Sequence, residues 1–126
     1  MAQDGKLTYE QLCDLAVDWC QAWCQRDLDR IMSHYTDDVA LNSPNVVSRL
    51  GHADGWVRGA AAVRAYFAQG LEAAPDLRFL FVDLLMGAGH VTILYRRETG
   101  ALVTDTLEID GQGRGRRVVA CYGAKL

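Results

Sequence analysis

The chain has 126 residues, half of them apolar, with 13 Lys and Arg against 16 Asp and Glu for a net charge of −3. That length and apolar share suffice for one core without disulfide or metal staples. The acidic balance excludes the clustered basic face of a nucleic-acid-binding domain, and no run is apolar over the length that spans a bilayer.

The opening residues, Met-Ala-Gln-Asp-Gly-Lys, lack the basic-then-apolar order of a secretory leader, so a soluble cytoplasmic protein is expected. Thr8 and Gln11 have capping-box spacing and predict a helix from about Tyr9. Gln11, Asp14, Asp18, Gln21 and Gln25 make its polar stripe, and Leu12, Ala16, Trp19 and Trp23 its apolar one. Cys13, Cys20 and Cys24 fall along one flank of this helix and, with Cys121, read as buried core thiols. His34, His52 and His90 are scattered and no Cys-x-x-Cys pair exists, so neither a metal nor a cofactor is called for.

Between Arg26 and Val39 the structural period changes repeatedly. Asp27 can cap a short helix from Leu28 to about His34, with Ile31, Met32 and Tyr35 on its apolar face. His34 at its end suits a helix C-terminus. Asp37 and Asp38 then break the pattern as a turn, ahead of a strand from Val39 to Ser43 that Pro44 ends. Asn45 to Gly55 is polar and turn-rich and reads as a loop, after which Trp56 is placed to close a cavity mouth.

Val63, Tyr66, Phe67 and Leu71 repeat at helical spacing, giving a third helix that Pro75 and Asp76 stop. Four β-rich runs follow: Leu77 to Met86, Val91 to Glu98, Leu102 to Asp110 and Arg116 to Tyr122. Gly111 to Gly115 lies between two of these strands, so it reads as a hairpin turn and not a phosphate loop, with Arg114, Arg116 and Arg117 at a solvated hairpin end. The fold class is therefore α+β, three N-terminal helices packed on a curved, mainly antiparallel sheet. Helices crossing such a sheet leave a conical cavity.

Asp105 is the residue of greatest chemical interest. Alternation along its strand puts it on one face with Val103, Leu107 and Ile109, where an apolar setting raises a carboxyl pKa and keeps it able to donate a hydrogen bond. In the preceding strand Arg96 and Glu98 share a face opposite Arg97. They read as a surface ion pair, or, with Arg96 turned inward, as a partner for Asp105 or an acidic ligand. Trp19, Trp23, Tyr35, Ser43, Trp56, Tyr66, Arg96, Val103 and Leu107 are the expected pocket residues around Asp105.

The order of elements, with Arg26-Asp27-Leu28-Asp29, Tyr35-Thr36-Asp37-Asp38-Val39, Ser43-Pro44, Gly59 to Phe67 and the Val118 to Gly123 strand, resembles the NTF2-like superfamily and most of all its SnoaL-like and ketosteroid-isomerase-like branches. The resemblance covers almost the whole chain. It implies a cystatin-like cone built as one domain from residue 1 to residue 126. It also implies an oxyanion-holding carboxyl at Asp105, in the manner of the isomerase that serves as a standard example of a protonated aspartate. The family's base position falls on Ser43, its tyrosine positions on Trp19 and Phe67, and an aspartate of the epoxide-hydrolase branch on Cys121.

Isomerase chemistry with its usual base is thus not expected. The expectation is a protein that binds a small, apolar, oxygen-bearing molecule, with Asp105 stabilising an oxyanion if it is an isomerase- or lyase-type enzyme. The other reading is a non-catalytic association module. Homodimerisation through the open sheet face is implied in either case, with no nucleic acid or membrane as partner.

Overall fold

A computed structural model describes residues 6–124, and the leaderless reading of residues 1–5 lies outside them. Helix α1 spans Tyr9–Cys24 and starts on the expected capping box, the Gln11 amide donating to Thr8 Oγ1 at 3.1 Å and the Thr8 amide to Gln11 Oε1 at 2.8 Å. The chain leaves α1 at Arg26, whose φ of 58° is the left-handed conformation usually left to glycine. Asp27 then caps the short α2, Leu28–Met32, by accepting from the Arg30 amide at 3.2 Å.

Strand β1, Tyr35–Asn42, begins earlier than the sequence suggests. Asp37 and Asp38 lie inside it and not in a turn. They are tolerated because both point to solvent and the pairing slips between Tyr35 and Ala40, an irregularity that lets two charged residues pass without reaching the core.

The expected loop after Pro44 is instead helix α3, Pro44–Leu50. Ser43 caps it through its side chain, Pro44 occupies the first turn where its missing N–H costs nothing, and Gly51 closes it at φ 71°. A short strand β2, Trp56–Arg58, and helix α4, Ala60–Ala73, follow. The described helices therefore number four where three were expected.

The remaining strands are β3 Phe79–Gly87, β4 His90–Arg97, β5 Leu102–Ile109 and β6 Gly115–Tyr122. The six strands form one sheet in the order β2-β1-β6-β5-β4-β3, every neighbouring pair antiparallel except β1 with β6. Helix α1 packs chiefly on β3 and α4 on β1, so the helices cover one face. Ile31, Val39, Val46, Val63, Val103 and Val118 are sealed between the layers.

The glycine-rich segment is the β5–β6 hairpin, in which Asp110 Oδ1 accepts from the Gln112 and Arg114 amides, both at 2.9 Å. Of the four cysteines expected to be buried, only Cys20 is. Cys13 is half-buried, and Cys24 and Cys121 are exposed at the end of α1 and on the outer side of β6. Strand β3 forms an edge of the sheet and leaves Leu80, Val82, Leu85 and Met86 exposed. Among the described residues no helix is long and apolar enough to cross a membrane.

Candidate functional site

Strand alternation turns Tyr95 and Arg97 of β4, Asp105 of β5 and Ala120 and Tyr122 of β6 toward the helices. Across them stand Trp19 and Trp23 of α1, Asn45 and Arg49 of α3, and Tyr66, Phe67 and Gly70 of α4. These groups, with Ser43, Phe79 and a few aliphatic neighbours, enclose a cavity of about 520 Å³, counting its opening to solvent. Ala120 stands opposite Asp105 in the sheet, and its small side chain leaves the carboxyl room.

Asp105 is only 5 % exposed. The Tyr95 hydroxyl donates to its Oδ1 at 2.8 Å, and Oδ2 has no hydrogen-bond partner among the described residues. Burial pushes the carboxyl up to about 7, against the opposing pull of the Tyr95 hydrogen bond. No arginine pairs with it, contrary to the partner envisaged for it in the cavity wall.

A ring cluster surrounds this acid. Trp19 and Tyr95 meet edge-on at 5.3 Å, Tyr95 stacks on Phe79 at 4.4 Å, and Trp23 stacks on Phe79 at 4.9 Å and meets Phe67 edge-on at 4.8 Å. Such contacts fix the ring positions and keep water away from the carboxyl. The Trp19 indole donates to the Tyr35 hydroxyl at 2.8 Å, which commits that N–H within the protein. Trp23 Nε1 is the sole side-chain nitrogen or oxygen among the described residues that is both fully sealed from solvent and without a partner; Asp105 Oδ2, though unpartnered, is not sealed in this way.

At the outer end, Asn45 donates to the Tyr122 hydroxyl at 3.1 Å. Arg97 makes a two-pronged pair with Glu98, both bonds at 2.9 Å, and Glu98 also accepts from the Arg78 amide at 3.0 Å. Burial works against the Arg97 charge, but the Glu98 pair outweighs it and holds the guanidinium above its ordinary value. Burial raises the Tyr66 and Tyr122 phenols, and the arginine charges partly offset this.

Of the expected pocket residues, Trp19, Trp23, Ser43, Tyr66 and Asp105 line this cavity. The Ser43 hydroxyl is engaged in accepting from the Asn45 amide at 3.2 Å, so it serves α3 at the position where the family keeps its base. Tyr35 is buried behind Trp19 without lining the cavity, and Val103 is sealed in the core. Leu107 lines a second, smaller cavity on the far side of Trp19.

Arg96 and Trp56 require correction. Arg96 points outward, toward the Gly100 carbonyl at 3.3 Å, because β4 spends its inward positions on Val91, Ile93, Tyr95 and Arg97. Its expected ion pair with Glu98 is replaced by that of Arg97. Trp56 lies on the outer surface of the sheet between the guanidinium groups of Arg58 and Arg117, at 5.1 and 4.5 Å, and does not close the cavity.

His34 is likewise not a helix-end histidine in the open. It is buried beside the second cavity, its Nε2 at 2.8 Å from Asp18 Oδ2. Asp18 is held below the usual carboxylate range first by Arg30 and also by His34.

The residues sequence reasoning missed are Tyr95, Arg97, Tyr122, Asn45 and Arg49. A signal existed for the first two. Val91, Ile93 and Tyr95 are apolar at every second position, which marks the inward face and carries Arg97 with it.

The SnoaL-like domain profile matches residues 16–123. A SnoaL-like protein of unknown function from Burkholderia thailandensis is 32 % identical, with 94 % of this chain and 99 % of that chain covered and a TM-score of 0.89. A protein provisionally named a ketosteroid isomerase, from Kribbella flavida, is 16 % identical over 94 % of this chain and 82 % of its own, at a TM-score of 0.70. TerC, crystallised with polyporic acid, is 15 % identical over 90 % of this chain and 92 % of its own, at 0.72. No curated protein matches in sequence.

Proposed function

Because this chain belongs to the SnoaL-like domain family, we propose that it is a single-domain, cytoplasmic small-molecule-binding protein acting as an isomerase- or lyase-type enzyme on a compact carbonyl compound. The observation that carries this is the buried Asp105 carboxyl, with one oxygen tied to Tyr95 and the other unpartnered in an aromatic cavity.

A carboxyl pushed up to about 7 is protonated in a substantial fraction of molecules at neutral pH. Its Oδ2–H then donates to a ligand carbonyl, and the bond strengthens as negative charge builds on that oxygen in an enolate-like transition state. Tyr95 holds the carboxyl in place by donating to Oδ1. The ring cluster excludes the water that would compete for the same oxygen. A protein of the same fold, TerC, crystallised with polyporic acid, supports the reading.

With Ser43 committed to α3, the proton acceptor is not at the usual family position. The reading therefore claims oxyanion stabilisation and makes no assignment of a base. The test is proton exchange at the carbon beside the carbonyl in a panel of cyclic ketones. Wild type should exchange at least about tenfold faster than Asp105→Ala, the scale of one lost oxyanion donor or somewhat below it. Equal rates across the panel would sink the catalytic reading.

A second function has its own observation. Leu80 and Leu85 are 52 % and 55 % exposed on β3, with Leu102 exposed beside the far end of β4. An apolar strand edge of this kind suits a symmetric homodimer through the sheet, which hides it from water. This association is compatible with the cavity, since the helices cover the opposite face.

A further inference from the structure

Resting on the reading of Asp105 as the acid at the inner end of the cavity, we propose that the natural ligand is an anionic carbonyl compound, an apolar ring bearing a ketone and a carboxylate, bound with its ketone toward Asp105 and its carboxylate toward Arg49 and Arg97.

The cavity has two chemically different ends. At the inner end the only polar partner of Asp105 is Tyr95. At the outer end two guanidinium groups face in, Arg49 from the last turn of α3 and Arg97 from the end of β4. Arg49 and Arg97 both act on Tyr66 and Arg97 also on Tyr122, two phenols that the Asp105 charge reaches as well, while neither arginine is paired with Asp105 itself.

Only one carboxylate answers these two cations. Glu98 takes Arg97 in a two-pronged pair, whereas Arg49 has no carboxylate within 4 Å among the described residues. Arg49 is exposed at the mouth of the cavity, where a guanidinium without a carboxylate partner attracts an anion over a neutral molecule of the same shape and can pair with its carboxylate.

Gly70 supplies an independent argument. It lies within α4, where glycine costs about 1 kcal/mol relative to alanine. A Cβ at Gly70 would come within 2.9 Å of Arg49 Nη1. The absence of a side chain at Gly70 lets the Arg49 guanidinium lie against α4 at this turn, and both residues line the cavity.

The probe is 4-oxo-4-phenylbutanoate against its primary amide, followed through the fluorescence of Trp19 and Trp23, which line the cavity. The acid should bind at least about tenfold more tightly than the amide, and Arg49→Gln should reduce that preference to about twofold or less. Arg97→Lys retains the Glu98 charge pair and guards against loss of folding, and it should weaken the acid while leaving the amide nearly unchanged. Gly70→Ala should weaken the acid by shifting Arg49.

Equal binding of acid and amide by wild type overturns the proposal, as does a preference that survives Arg49→Gln, or failure of both compounds to bind. The underlying reading fails separately. If Asp105→Ala binds both compounds as wild type does while the acid preference persists, the ketone does not meet Asp105, and the anion site stands without it.

Discussion

Asp105 combines a charge-bearing group with surroundings that solvate it poorly, and stability should register that conflict. The unfolded carboxyl ionises near its ordinary value of 3.8, the folded one near about 7. Between those values the unfolded state gains from ionisation that the folded state does not share, so stability falls as pH rises from about 4 and levels off above about 7. The full gap corresponds to about 4 kcal/mol. Urea unfolding of wild type should therefore show a loss of about 2–3 kcal/mol from pH ~5 to pH ~8 that Asp105→Asn does not show. A pH-independent difference between the two proteins would refute the account.

Tyr95 sets the same balance from the other side. Its hydroxyl stabilises the ionised carboxyl, so Tyr95→Phe should move the Asp105 titration above about 7, which carbon-detected NMR of the labelled side chain reads directly. A downward movement would show that the hydroxyl favours the protonated carboxyl and not the ionised one.

Arg26 joins elements that are remote in sequence. The Arg26 guanidinium donates to the carbonyls of Leu71, Ala74 and Pro75, closing the C-terminal end of α4 from the turn after α1. Arg26→Ala should cost about 1–3 kcal/mol, since charged hydrogen bonds to the carbonyls that end α4 are lost, the Ala74 carbonyl alone keeping a second donor in the Leu77 amide. Arg26→Gly should cost about 0.5–1 kcal/mol less, because glycine accepts the left-handed backbone at φ 58° more readily. Chemical denaturation of the pair separates the side-chain bonds from the backbone strain.

Sequence reading succeeded where the signal was local and redundant. The capping box of α1, the Asp27 cap and the four β-rich runs each rest on several agreeing residues, and all are present. It failed at α3, where polar composition was weighed above the cap, proline and glycine that delimit a helix of seven residues. Asp105 was legible because a lone carboxyl breaks an otherwise apolar face. Arg49 was not, because its place at the cavity follows from the angle at which α3 leaves Ser43, and no spacing along the chain encodes that angle.

For the whole molecule, the exposed β3 edge makes association measurable. Leu85→Lys, with the charge placed among the exposed apolar side chains of β3, should lower the mass seen by light scattering at about 50 µM from that of a dimer toward that of the single chain, with the helical content unchanged. A wild-type protein that is monomeric under those conditions would count against the sheet-mediated pair.

The parallel pairing of β1 with β6 has a consequence for how the chain reaches its folded form. Strands β3 to β6 can zip together as successive hairpins, each closing a short loop. β1 can meet β2 and α4 early, but its other edge must wait for β6, and the entropy of closing so long an intervening segment falls on that one step. Since Ala120 and Tyr122 stand on β6, a nascent chain has no complete cavity to offer a ligand until that strand has joined the sheet.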